Sequence, residues 1–109
     1  MLGKNGMLGA AFALKMSADE DYEFFALGRE DLDVRDFEKA RKVISDIRPD
    51  LIINCVAYTN VDQAETDQDE CFLLNAEFCE LLARVCEEIS AVLIHFSTDY
   101  VFDGFSQKE

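Results

Sequence analysis

Gly3-Lys-Asn-Gly6-Met-Leu-Gly9 is the stretch on which the fold turns. Its glycines recur at every third residue, and a run of good helix formers, Met7 to Met16, begins inside it. Such a loop turns tightly, lets backbone approach a ligand closely and seats a helix hard against a sheet. Each of those demands penalises a Cβ atom, and the first-turn N–H groups of the helix face whatever anion lies before them. The glycine spacing alone is a weak signal, because glycine-rich turns are common. The alternation of elements behind it gives it weight.

Glu23-Phe-Phe-Ala-Leu27 reads as a short strand closed by Gly28. Asp36 can cap a helix running through Ile47, with Phe37, Ala40, Val43, Ile44 and Ile47 at helical spacing and Arg48-Pro49-Asp50 as its stop. Leu51-Ile-Ile-Asn-Cys-Val56 is apolar apart from Asn54, as in a parallel strand buried on both faces. After a polar loop, Ala57 to Asp62, one long helix is expected from Gln63 to Ile89. Its apolar side would hold Cys71, Leu74, Phe78, Leu81, Leu82, Val85 and Ile89. Ala91-Val-Leu-Ile-His-Phe96 is another buried-type strand and runs into Ser97-Thr98-Asp99. The order predicts an α/β fold of Rossmann type, a parallel sheet with helices on both faces. Residues 1–109 form one partial domain, with only Met1-Leu2 in place of the strand that should feed the glycine loop.

The formal charge of −13, from 23 acidic and 10 basic residues, repels nucleic acid and anionic membranes, so neither is an expected partner. No apolar run approaches the roughly 20 residues of a bilayer span. Met1 to Gly9 lack the organisation of a signal peptide, so a cytoplasmic location is expected. The four cysteines, at 55, 71, 79 and 86, show no Cys-x-x-Cys spacing; they read as buried thiols, the last three near one helix face. His95, the sole histidine, sits in an apolar strand and reads as a structural residue, and no metal site is expected.

In a dinucleotide fold the end of the second strand reads the adenosine ribose: an acid binds the 2′-hydroxyl, an arginine takes a 2′-phosphate. Here Gly28 and Arg29 follow Leu27. Arg29 points toward NADP(H), while a solvated surface arginine beside Glu30 explains it equally, so NADH or NADPH stays open. Ala57, Tyr58 and Thr59 follow a strand at the carboxyl edge, where such sheets bind ligands. Thr98 could hydrogen-bond a substrate carbonyl oxygen from the same edge, and Asp99 could accept from substrate or cofactor hydroxyls. A turn in which Ser97 to Asp99 bond their own backbone accounts for them as well.

Taken together, the glycine loop, Arg48-Pro-Asp-Leu-Ile-Ile-Asn54, Ala57-Tyr-Thr-Asn-Val-Asp-Gln-Ala-Glu65, Asn75-Ala76 and Phe96-Ser-Thr-Asp-Tyr-Val-Phe-Asp-Gly104 resemble dTDP-4-dehydrorhamnose reductases. These are extended short-chain dehydrogenases/reductases. The resemblance implies a cofactor loop of Gly3, Asn5, Gly6, Met7, Leu8 and Gly9, with Gly6, Met7 and Leu8 at the pyrophosphate. It implies Asp33 and Val34 beside the adenine, and Ala57, Tyr58 and Thr59 alongside the cofactor. Thr98 would be the catalytic hydroxyl, and Thr98 with Asp99 would meet the substrate. The implied reaction reduces the 4-keto group of dTDP-6-deoxy-L-lyxo-4-hexulose to dTDP-L-rhamnose with NADPH or NADH, and leaves room for a homodimer of the full-length protein. The family's Tyr-x-x-x-Lys pair and its substrate region are absent from these residues, so the 109-residue chain alone is expected not to turn over. Two other readings stay open: a non-catalytic subunit like the regulatory subunit of methionine adenosyltransferase, and another nucleotide-sugar epimerase or dehydratase of the extended family.

Overall fold

A computed structural model describes residues 1–98. In chain order these form α1 (Met7–Met16), α2 (Phe37–Ile47), β1 (Leu51–Asn54), α3 (Val61–Ala64), α4 (Gln68–Phe72), a π-helical turn (Leu73–Glu77), α5 (Phe78–Ile89) and β2 (Val92–His95). β1 and β2 pair in parallel, Leu51 against Val92 through Asn54 against His95. Leu2 makes parallel bridges to both Leu27 and Asn54, so it stands at the centre of the sheet. Its N–H donates to Ile53 O at 2.9 Å and its O accepts from Cys55 N at 3.0 Å.

The helix limits follow from their caps. The Asp36 carboxylate accepts from the Lys39 N–H at 3.0 Å, satisfying a first-turn donor of α2. At the other end Arg48 takes up a left-handed conformation (φ 49°), and Pro49 prevents continuation. Residues 1 to 47 depart from expectation in one respect. Leu27 is bridged, but residues 23–26 form no strand, because their pairing partner contributes only Met1 to Gly3.

Alternation along the strands sorts the two sheet faces. Leu2, Ile52 and the partly buried Leu93 face α2 and α5, which pack Ala40, Ile44, Phe78, Leu82, Val85 and Cys86 into one core. The Phe37 and Phe78 rings lie 6.1 Å apart at its centre. Phe96, in phase with Ile94, lies on the opposite face and meets Phe12 of α1 at 5.9 Å. Helices therefore flank both faces of a parallel sheet, the Rossmann-type arrangement expected.

Three expectations are corrected. The strand at 91–96 is not buried: Val92, Ile94 and Phe96 are 61%, 41% and 40% exposed, since no described element covers the outer edge of β2. The strand at 51–56 ends at Asn54, the last residue paired with β2 and the one bridged to Leu2, so it is two residues shorter than its apolar run. The single helix from Gln63 to Ile89 is instead α3, a break, α4, the π turn and α5. The break falls at 65–67, where Asp67 supplies no side-chain cap because its carboxylate accepts from the Tyr58 hydroxyl at 3.1 Å. All four cysteines are free thiols, but only Cys86 is fully buried; the others lie at the rim of packed elements.

Candidate functional site

The glycine loop is built so that side chains are excluded from two of its corners. Gly3 has φ +83°, and a Cβ there would stand 2.9 Å from the Cys55 carbonyl. A Cβ on Gly9 would lie 2.0 Å from Gly3 O, whereas one on Gly6 would meet nothing nearer than 3.6 Å. The Gly6 N–H donates back to Gly3 O at 3.1 Å, and Ala10 N–H closes the first turn of α1 on Gly6 O at 2.8 Å. This leaves the amides of Met7, Leu8 and Gly9 without intrahelical acceptors. No side chain caps α1, and no acid lies in its first turn. The result is a backbone cradle suited to an anion.

The turn after Leu27 is latched onto this loop. Lys4 Nζ lies 2.6 Å from Asp31 Oδ2 and 3.0 Å from Glu30 Oε1, and Asn5 Nδ2 donates to Glu30 Oε2 at 2.7 Å. The Gly28 N–H, which donates to the Asp31 carboxylate, and then Lys4 hold that carboxyl below its ordinary value. Gly28 is buried, and a Cβ there would collide with Glu30 and Asn5 at 2.6 and 2.8 Å. Leu32, 2% exposed, plugs into the core and so fixes where its neighbours Arg29, Asp33 and Arg35 stand.

Loop and turn enclose a cleft of about 230 Å³. Of the residues expected at a cofactor, Gly3, Asn5, Gly6, Arg29, Asp33, Val34 and Ala57 line it. Arg35 and Glu70, which the sequence gave no reason to single out, line it too. Arg35 Nε and Nη2 donate to Asp33 Oδ1 and Oδ2 at 2.8 and 2.5 Å, and Arg35 Nη1 faces Glu70 at 3.9 Å. The Arg35 guanidinium holds the Asp33 carboxyl well below the usual carboxylate range. A depressed pKa stabilises the fold above the unfolded value and loses that contribution as pH falls, so this pair persists until strongly acid conditions. Arg29 lines the cleft as well, and its charge adds to that of Arg35 in holding the Asp33 carboxyl down.

Met7, Leu8, Gly9, Tyr58, Thr59 and Thr98 do not line the cleft. The first three form the helix end beside it, and Thr98 is exposed beyond β2 at the carboxyl edge. Asp99 lies outside the described residues. Tyr58 is held by a residue to which sequence reasoning gave no role. Its N–H donates to Asn75 Oδ1 at 2.8 Å, and its O accepts from Asn75 Nδ2 at 3.1 Å. This amide clamp fixes the segment after β1 against the π turn. Replacing Asn75 with alanine is expected to cost about 1 kcal/mol in urea unfolding, since two hydrogen bonds are lost at an exposed site.

His95 is exposed rather than enclosed, yet it has partners. The buried Asn54 places Nδ2 3.2 Å from His95 Nδ1, and Cys79 Sγ lies 3.6 Å from His95 Nε2. Asn54 Oδ1 also accepts from the Val56 N–H, so the amide closes the end of β1. Burial pushes the Cys79 thiol up. Among the described residues no group of three or more His, Cys, Asp or Glu gathers to hold a metal, and no helix is long and apolar enough to cross a membrane.

Comparison with known proteins agrees with this geometry. The chain is 41% identical over 102 residues to a dTDP-4-dehydrorhamnose reductase of Sinorhizobium fredii. It is 42% identical over 103 residues to a probable dTDP-4,6-dihydroxy-2-methyloxan-3-one 4-ketoreductase of Streptomyces antibioticus. Each match covers 94% of this chain but only 34% and 35% of the relative, so the chain spans about a third of the curated proteins it matches. A dTDP-4-dehydrorhamnose reductase of Bacillus anthracis, solved in complex with NADP, superposes with a TM-score of 0.88 at 36% identity. That match covers 94% of this chain and 37% of the other. The family model described as RmlD substrate binding domain matches residues 1–109. The chain belongs to that family.

Proposed function

We propose that this chain is the cofactor-holding part of an NADPH- or NADH-dependent reductase. Its substrate would be a dTDP-4-keto-6-deoxy sugar, dTDP-6-deoxy-L-lyxo-4-hexulose, giving dTDP-L-rhamnose. The observation that carries the reading is the cradle: a loop that tolerates no Cβ at Gly3 or Gly9, ahead of an uncapped helix end, opening into a cleft. A pyrophosphate fits the Met7 to Gly9 amides, the adenosine end fits the Arg29 to Val34 wall, and Ala57 leaves room beside it. The family relationship and the reductase names of the relatives support the same assignment.

When bound, the reduced nicotinamide supplies hydride to the sugar's 4-keto carbon. The chain's residues then have separable tasks. The α1 amides hold the phosphates, and Arg29 meets a 2′-phosphate. The Thr98 hydroxyl donates to the keto oxygen, and Asp99 accepts from a substrate hydroxyl. Four free thiols suit a reducing cytoplasm.

Titration of the 109-residue chain with NADPH, followed by nicotinamide fluorescence, is expected to show saturable binding without reduction of the sugar. No Tyr-x-x-x-Lys pair occurs in the sequence to donate the proton. Absence of binding would overturn the proposal. Arg29→Ala is expected to weaken NADPH about tenfold, the scale of a charge-assisted hydrogen bond, and to leave NADH unchanged. Equal loss for both cofactors would remove Arg29 from the 2′-phosphate.

A further inference from the structure

Asn75 grips both main-chain polar groups of a single residue. The Tyr58 N–H donates to Asn75 Oδ1 at 2.8 Å, and the Tyr58 O accepts from Asn75 Nδ2 at 3.1 Å. A side-chain amide offers an acceptor and a donor side by side, so it pairs with Tyr58 as a neighbouring strand would. The segment after β1 is thus handed from the sheet to the helical layer. Cys55 N–H still bonds Leu2 O, Val56 N–H bonds the Asn54 side chain, and Tyr58 is then tied to the π turn. The Tyr58 hydroxyl, on Asp67 Oδ2 at 3.1 Å, gives the same residue a second tie to α4 and its start.

Sheet order shows what lies over this segment. Leu27, Leu2, β1 and β2 stand in that order across the sheet. On the dinucleotide reading above, the turn after Leu27 takes the adenosine, and the loop after Leu2 takes the pyrophosphate. The Thr98 hydroxyl, beyond β2, meets the keto oxygen. The nicotinamide half then has to cross the carboxyl end of β1 on its way to the substrate, along residues 57–59. Ala57 lines the cleft, while Tyr58 and Thr59 lead away from it.

We propose that Asn75 is a positioning residue for the nicotinamide half of the cofactor, acting through the Tyr58 main chain on the backbone of residues 57–59. This inference rests on the cofactor reading above. Without the clamp that segment samples other conformations, and a ligand lying along it has to order it on binding. A ligand that stops at the adenosine end does not.

The test compares NADPH with adenosine 2′,5′-bisphosphate, which keeps the base and the phosphorylated ribose but has no nicotinamide half. Both are titrated by calorimetry into the 109-residue chain and its Asn75 variants. Asn75→Ala should weaken NADPH about fivefold, the scale of one net hydrogen bond, and leave the bisphosphate within about twofold of wild type. In Asn75→Asp the carboxylate can accept from the Tyr58 N–H but has no hydrogen to donate to its O, so it should lose about as much. Equal weakening of both ligands would make Asn75 a general structural residue and overturn the proposal. Unchanged NADPH affinity in either variant would overturn it too, as would a wild-type chain that binds the two ligands equally. Failure of the wild-type chain to bind either ligand would instead bring down the underlying cofactor reading. Asn75 is exposed, and urea unfolding of each variant separates folding from binding.

Discussion

Gly9→Ala is expected to abolish NADPH binding and to lower the unfolding free energy by about 3 kcal/mol, the upper range for an overpacked site. The added Cβ would stand 2.0 Å from Gly3 O, a backbone atom with no flexible end to swing aside. Gly3 O also accepts from the Gly6 N–H, and Gly3 itself is wedged against the Cys55 backbone. Relief therefore means moving the loop that aims the helix amides. Gly6→Ala is the instructive companion. Its Cβ would meet only an ordinary contact at 3.6 Å, so the fold should keep its stability while a closely approaching phosphate is pushed away. Urea unfolding and cofactor titration of the two variants separate the roles. Binding by Gly9→Ala equal to wild type would show that this loop is not the cradle.

Phe78→Ala should be the most damaging change in the hydrophobic core. The side chain is fully buried, opens α5 and touches the ring of Phe37 across the α2–α5 contact. Truncating a buried phenylalanine costs about 3 to 5 kcal/mol, much of what holds a small domain folded at about 5 to 15 kcal/mol. The expected outcome is loss of a cooperative urea transition at room temperature, with Phe78→Leu retaining one. A cost for Phe78→Ala below about 1 kcal/mol would move the centre of the core elsewhere.

The parts of the fold legible in the sequence are those decided by local chemistry. Asp36 caps α2, Arg48-Pro49 stops it, and Gly6 opens α1, all at the residues the sequence marks. Apolar runs located β1 and β2, but run composition cannot tell how many neighbours a strand will have. β2 therefore reads as buried and stands open at its edge. The region from Gln63 to Ile89 shows the opposite failure. Its apolar residues keep regular helical spacing, and nothing in that spacing shows that Asp67 is engaged by Tyr58 from outside the helix. The glycine loop and Ala57 were visible because they fall in contiguous motifs, Arg29 because it follows the strand end at Leu27, and Asp33 only through the family resemblance. Arg35 and Glu70 were not, and Asn75 stood in a motif without a visible role, because what these residues do arises from contacts 17 to 35 residues apart in the chain or from a fork that only coordinates reveal.

The π turn at Leu73–Glu77 has a consequence for how this stretch tolerates change in length. A π turn accommodates one residue more than an α turn, so it acts as a phase adjuster between α4 and α5. α5 is anchored by Phe78, Leu82 and Val85 and cannot rotate to absorb a lost residue. A single-residue deletion within 73–77 would instead swing α4 by roughly 100° about the common axis. Glu70 would leave Arg35, and Asn75 would lose its register with Tyr58. The extra residue thus acts as a gear tooth, setting the angular position of one wall of the cleft against a core that lies on a different side of the same helix.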